Sequence, residues 1–307
     1  MRRKKIALVV GAGSVKCAAA LGVQHVLQQA GIVPDLVVGC SGGALFATAI
    51  ALGWSVAEAT RLTQQLWTRE LTGRRNNRAL WQALFPKRLG FDGRFGLRDD
   101  QLILQRLNET FGQHTFAQTH LPLFITATDF GTGEQVVLRD GRLTDAIRAS
   151  IAIPFVFAPW EVNACTERGR TGRLLVDGYL SDPLPINVAM REGADVIIAL
   201  GFETPYQQNM DSPLRYAFQL SSIMSNSLLK ARLAFYNLNH HSELLLLMPQ
   251  FRQRIRLFDT AKFPAIIAAG EEAMAAQLPY LQSVIGERSS VIRSSITDNG
   301  LRITKHE

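Results

Sequence analysis

The sequence predicts an α/β fold with a central, mostly parallel sheet flanked by helices. Three observations carry this. Short unbroken apolar runs, at Ile6–Val10, Leu36–Val38 and Val196–Leu200, have the pattern of strands buried on both faces. Glycine-rich turns follow the first two runs. Helix-like segments separate the strands, as parallel neighbours with helical crossovers require.

The elements follow in order. After Ile6–Val10, Gly11-Ala12-Gly13-Ser14 is a turn. Cys17 to Ala30 reads as a helix whose apolar face is Leu21, Val23, Val26 and Leu27, closed by Gly31. Leu36–Val38 leads into the tight turn Gly39-Cys40-Ser41-Gly42-Gly43, and Ala44 to Leu52 is a helix of small residues. Residues 54–112 read as a mostly helical, basic, aromatic-bearing insertion. Leu123–Thr128 and Val136–Leu138 are strands, Thr144–Ser150 a short helix, and Leu174–Val176 a strand that delivers Asp177. Leu214–Leu238 is a long amphipathic helix and Leu244–Met248 a strand. Residues from Ala265 to about Val284 are helical, with a kink or break expected at Pro279. One domain is expected to span residues 1–287, with a polar C-terminal tail over 288–307.

Composition narrows the class. Of the 307 residues, 47% are hydrophobic and 19% charged, which excludes a disordered chain, and no apolar run is long enough to span a bilayer. The net charge of +7 favours anionic partners. Arg2, Arg3, Lys4 and Lys5 open the chain, and Arg69, Arg74, Arg75, Arg78, Lys87, Arg88, Arg94 and Arg98 crowd a second stretch. That second stretch also carries Trp81, Leu84, Phe85 and Phe91, so peripheral contact with an anionic membrane is expected there. Nucleic acid is not expected as a partner. Cys17, Cys40 and Cys165 lack disulfide or zinc spacing and suit a reduced, cytoplasmic setting. The basic N-terminus before Ile6–Val10 resembles a signal peptide, but Gly11, Gly13 and Lys16 break the apolar run, and strand plus loop is the better reading.

Three motifs could carry chemistry. Gly39-x-Ser41-x-Gly43 lies between a strand and a helix, where a strained turn exposes a serine hydroxyl and flanking glycines relieve crowding. Gly11-x-Gly13 follows the first strand, where backbone N–H groups can hold an anion, either an oxyanion or a nucleotide phosphate. A dinucleotide fingerprint would place glycine at position 16, which is Lys16, and an acid after the second strand, whereas Asp35 precedes it. Asp177 ends a buried strand ahead of Gly178 and Pro183-Leu184-Pro185. On spacing alone it reads as a turn residue that hydrogen-bonds locally.

Together the motifs resemble those of the patatin-like phospholipase family, its bacterial members in particular, over residues Lys5 to about Val284. The glycine-rich loop that ends in a basic residue is similar to Gly11–Lys16, and the serine elbow to Gly39–Gly43. A Ser-x-Ala-x-Pro segment is matched by Ser150–Pro154, and the Asp-Gly motif by Asp177-Gly178. The resemblance implies a single-domain α/β fold and a Ser–Asp dyad without histidine, metal or cofactor. Ser41 would attack an ester carbonyl, Asp177 take its proton, and Gly11, Ala12, Gly13, Ser14 and Lys16 form the oxyanion loop. Gly39 and Gly43 would shape the elbow, and Gly178 would complete the Asp-Gly motif. The substrates implied are phospholipids, lysophospholipids or related lipid esters, which places the chain in lipid degradation.

Three positions depart from the family pattern. Ser14 and Cys17 stand where bacterial relatives usually carry glycine, and Tyr179 where a small residue is more usual. If position 14 needs positive φ, serine there is strained. Two other readings stay open: a catalytically weak patatin-fold module that binds lipid or a partner, and a nucleotide-binding protein that uses the Gly11 loop. The order Ser41, Asp177, His240 or His241 also imitates a triad. Those histidines follow a long helix, however, and imidazolium suits its C-terminus.

Overall fold

The computed structural model describes residues 2–286 except 74, 75, 92, 167, 168, 205, 207, 208 and 239–241. Expectations for Arg74, Arg75, His240, His241 and the tail 288–307 therefore concern residues outside those described.

The chain runs through β1 (Ile6–Val10), α1 (Ala19–Gln29), β2 (Leu36–Cys40) and α2 (Gly42–Ala51). The insertion follows as α3 (Val56–Leu66), α4 (Asn77–Leu84), α5 (Pro86–Leu89) and α6 (Gln101–Phe111). Next come β3 (Leu123–Asp129), β4 (Gln135–Leu138), α7 (Leu143–Ser150), β5 (Trp160–Thr166) and β6 (Gly169–Asp177). The chain continues with α8 (Ile186–Arg191), β7 (Val196–Leu200), α9 (Pro213–Leu238), β8 (Glu243–Leu247) and α10 (Phe263–Gly286).

These strands form one mixed sheet in the order β5-β6-β3-β2-β1-β7-β8, with β4 also paired to β3. It is parallel from β8 through β7, β1 and β2 to β3, and antiparallel from β3 to β4, β6 and β5. Every residue of β1, β2 and β7 is buried, which is why these strands read as unbroken apolar runs. The hairpin partner β5 was not visible in the sequence. Its apolar residues Trp160, Val162 and Ala164 alternate with polar Glu161 and Asn163, and it lies at an edge of the sheet.

Helices cover both faces. α1 and α10 cross at two glycines: a Cβ on Gly22 would stand 2.1 Å from the Ile267 carbonyl, and one on Gly270 would stand 2.0 Å from that of Ala19. α10 continues through Pro279 instead of breaking there. Proline removes one N–H, but Leu281 and Val284 beyond it are buried and hold the last turns in place.

The junction of α6 and α7 bears on the site. Arg148 on α7 is fully buried, pairs with Asp100 at 2.6 Å and donates to the Ala158 carbonyl at 2.9 Å. Its guanidinium lies over the rings of Phe157 and Trp160. Burial lowers the Arg148 pKa and raises that of Asp100 in spite of the pairing, so the contact fixes geometry at some cost in desolvation. What it fixes is the helix that ends in Ser150.

Candidate active site

The ends of β1, β2 and β6 converge. Ser41 lies between β2 and α2 with φ 55° and ψ −129°, a left-handed conformation strained for any residue with a Cβ. Close packing enforces it. A Cβ on Gly39 would stand 2.7 Å from Ala44 Cα, and one on Gly43 would stand 2.3 Å from the Val10 carbonyl. A Cβ on Gly42 would stand 2.6 Å from Ser14 Cα. The elbow is thus wedged between its own helix and the Gly11 loop, with the α2 N-terminus beneath the serine.

Asp177 closes β6, which is not a neighbour of β2. It reaches Ser41 because the chain then crosses over β3. A Cβ on Gly178 would stand 2.5 Å from the Thr126 carbonyl and 2.9 Å from Cys40 Sγ, so glycine permits that crossing. The Ser41 hydroxyl donates to Asp177 Oδ2 at 2.8 Å, and the Tyr179 N–H donates to Oδ1 at 3.1 Å. Complete burial pushes the Asp177 carboxyl up to about 7, against the opposing pull of those two donors.

Ser150 completes the frame. Its hydroxyl donates to the Thr126 carbonyl at 2.7 Å and accepts the Ser41 N–H at 2.8 Å. The Asp177 N–H donates to the Ala152 carbonyl at 3.1 Å. The Ser150–Pro154 segment therefore holds both the serine and the aspartate. Sequence reading quoted that segment without giving it a role.

The glycine loop divides in two. The Gly11 N–H is taken by the Leu200 carbonyl at 2.9 Å and the Ala12 N–H by the Pro183 carbonyl at 2.8 Å, so both anchor the loop. Lys16 also anchors it: its N–H goes to the Gly13 carbonyl, and its ammonium donates to the Glu203 carbonyl at 2.6 Å. Burial lowers the Lys16 pKa. The N–H groups of Gly13 and Ser14 have no partner among the described residues and remain available.

The departures from the expected pattern are accommodated. Cys17 is buried in a 3-10 turn and donates to the Gly11 carbonyl. Ser14 does adopt positive φ, at 52°, and its hydroxyl donates to the Leu257 carbonyl at 2.7 Å, an acceptor shared with Trp67 Nε1 at 2.9 Å. Left-handed strain of roughly 1–2 kcal/mol is partly offset by a hydrogen bond worth about 1 kcal/mol net. Ser14→Ala keeps the strain and loses the bond, so it is expected to cost about 1 kcal/mol. Ser14→Gly loses both and is expected to stay near wild type. Urea midpoints check this order, and equal midpoints for the two variants would contradict it.

A cleft of about 760 Å³ opens over the serine. Ala12 to Lys16, Ser41, Asp177 and Tyr179 line its floor, and α9 and residues 254–257 form its walls. Among the described residues, none that lines it is a histidine.

The family profile described as "Patatin-like phospholipase" matches residues 8–190. The chain belongs to the patatin-like phospholipase family. The matched span holds the patatin-like loop, elbow and Asp-Gly turn, whereas α9 and residues 254–257 lie beyond it. An uncharacterized NTE family protein of Mycobacterium tuberculosis is 32% identical over 197 residues, 64% of this chain and 48% of that protein. The chain thus spans about half the length of this relative. Patatin-like phospholipase domain-containing protein 7 of Mus musculus is 28% identical over 195 residues, 64% of this chain and 13% of its own. The solved structure of VipD from Legionella pneumophila is 13% identical, with a TM-score of 0.47 over 91% of this chain and 67% of its own, too distant to inform the site.

Proposed function

We propose that the chain is a serine acyl hydrolase that cleaves carboxylic ester bonds of lipids through a Ser41–Asp177 dyad. The 2.8 Å hydrogen bond from the Ser41 hydroxyl to Asp177, at a strained elbow under an open cleft, carries this reading. Asp177 takes the proton as Ser41 Oγ attacks the ester carbonyl. The developing oxyanion is received by the free N–H groups of Gly13 and Ser14. Asp177 returns the proton to the departing alcohol, which leaves an acyl-serine. It then deprotonates the water that attacks the acyl-serine and returns that proton to Ser41 Oγ as the acid is released. A cleft of about 760 Å³ suits an acyl chain with part of its headgroup. A nucleotide in the Gly11 loop is disfavoured, since the Gly11 and Ala12 N–H groups are already engaged.

The base works only when ionised. With Asp177 raised to about 7, kcat/KM is expected to fall about tenfold per pH unit below that value and to level off above it. A pH profile on a short soluble ester, run beside Ser41→Ala, tests the reading. Hydrolysis by Ser41→Ala, or a rate unchanged down to about pH 5, would contradict it. A panel of phospholipids, lysophospholipids and neutral glycerolipids then resolves the substrate.

A further inference from the structure

The cleft over Ser41 has two unlike sides. Apart from Phe218, the α9 side is polar: Ser221 meets the Tyr179 hydroxyl at 2.6 Å, and Ser222 and Ser225 are buried. Thr204 belongs to that side, since its N–H and carbonyl both pair with the Asn226 side chain of α9 at 2.9 Å. The other side is apolar. Trp67, which follows α3, donates from Nε1 to the Leu257 carbonyl at 2.9 Å and stacks on Phe258 with ring centroids 5.5 Å apart. The Ser14 hydroxyl donates to the same carbonyl, which brings Trp67 and Leu257 together beside the oxyanion loop and Val15. Arg254 and Arg256 also line the cleft, but both are exposed.

Trp67 is also a partition. Behind it lies a loosely packed region lined by Leu45, Phe46, Thr63 and Phe263. Ser14, Val15 and Trp67 line both this region and the cleft. The region is too tight for a water, and the Thr63 hydroxyl is spent on the Ala59 carbonyl at 2.6 Å, so it offers hydrocarbon.

We infer that Trp67 is the end wall of the acyl subsite and sets the longest acyl chain the cleft accepts, so that the substrates are esters of short- and medium-chain acids. The inference rests on the serine-hydrolase reading. An acyl group on Ser41 Oγ, with its oxygen on the Gly13 and Ser14 N–H groups, lies against the oxyanion loop. From there the apolar side leads past Val15 to the indole, and the alcohol is left to the polar side. Ring stacking and the Leu257 hydrogen bond hold the indole across that path. Ser14 still tethers Leu257 when the indole is removed, so the path would then open into the region behind instead of collapsing.

The test is kcat/KM on p-nitrophenyl esters from butanoyl to hexadecanoyl, dispersed in one detergent, for wild type, Trp67→Ala and Trp67→Phe. Each methylene that finds apolar surface should raise the wild-type value about fourfold until the chain meets the indole, and longer chains should then lose rate. In Trp67→Ala the rise should continue, so its hexadecanoyl-to-butanoyl ratio should exceed that of wild type at least about tenfold. Trp67→Phe keeps a ring at the wall and loses only the bond to Leu257, so it should keep the wild-type length profile. A gain on long chains cannot come from lost folding, and if Trp67→Ala does not fold, Trp67→Leu carries the same comparison. Parallel length profiles in wild type and the shortened variant would overturn the inference, as would a wild type whose rate rises through hexadecanoyl. If wild type hydrolyses none of the esters, or Ser41→Ala matches it, the hydrolase reading fails and takes the inference with it.

Discussion

Asp177→Asn is expected to lower kcat/KM by about 10³–10⁴ while the protein stays as stable as wild type or becomes more stable. The loss follows because Ser41 donates to Asp177 and, among the described residues, to no other base. The stability follows from burial. A free aspartate titrates near 3.9, whereas Asp177 is raised to about 7, so between those values the folded state holds a proton that the unfolded state has lost. The stability this contributes is fully present below about pH 4 and is lost as pH rises through about 7. Asparagine stays neutral and can still accept the Tyr179 N–H, so the variant avoids that loss. Urea melts at about pH 5 and pH 8, beside rates on a soluble ester, check both halves. His240→Ala and His241→Ala should remain near wild type. Loss in either of them with activity retained in Asp177→Asn would restore a triad.

Gly13→Ala is expected to cost about 10²–10³ in kcat with little change in KM, the effect of displacing one oxyanion donor. The reason is steric. Gly13 has φ −174°, which alanine tolerates, but its Cβ would stand 2.4 Å from the Phe202 ring. That ring is held by Phe251 and by the Lys16 ammonium, so the loop yields and the Gly13 N–H moves. Phe202→Ala in the same chain should restore much of the rate, because it removes the obstacle and keeps the donor. If Gly13→Ala turns over substrate normally, or Phe202→Ala gives no recovery, the loop does not hold the oxyanion in this way.

The sequence showed much of this fold because the parallel half of the sheet is buried on both faces. Ile6–Val10, Leu36–Val38 and Val196–Leu200 can be read without knowing their neighbours. β5 escaped notice because an alternating edge strand looks like a loop until its partner is known. At the site, Ser41 and its glycines are legible because a sharp elbow demands small residues close together in the chain. The Asp177 pairing came only with the family resemblance, since it depends on a crossing over Thr126 and Cys40 far away in sequence. The hydrogen bonds of Ser150 to Ser41 and Thr126, and of Ser14 to Leu257, link segments with no local pattern in common. The division of the Gly11 loop was equally hidden, because it turns on which carbonyls of β7 and of the turn after Asp177 reach the Gly11 and Ala12 N–H groups.

The central claim is that Ser41 is an activated nucleophile with Asp177 as its base, and covalent capture tests it most directly. Wild-type protein treated with a fluorophosphonate and digested for mass spectrometry should carry a single stable adduct, on the peptide containing Ser41. Labelling should slow as the pH falls below about 7, and Asp177→Asn should label at least about 10²-fold more slowly. An adduct on another residue, or equal labelling of Ser41 in wild type and Asp177→Asn, would contradict the account.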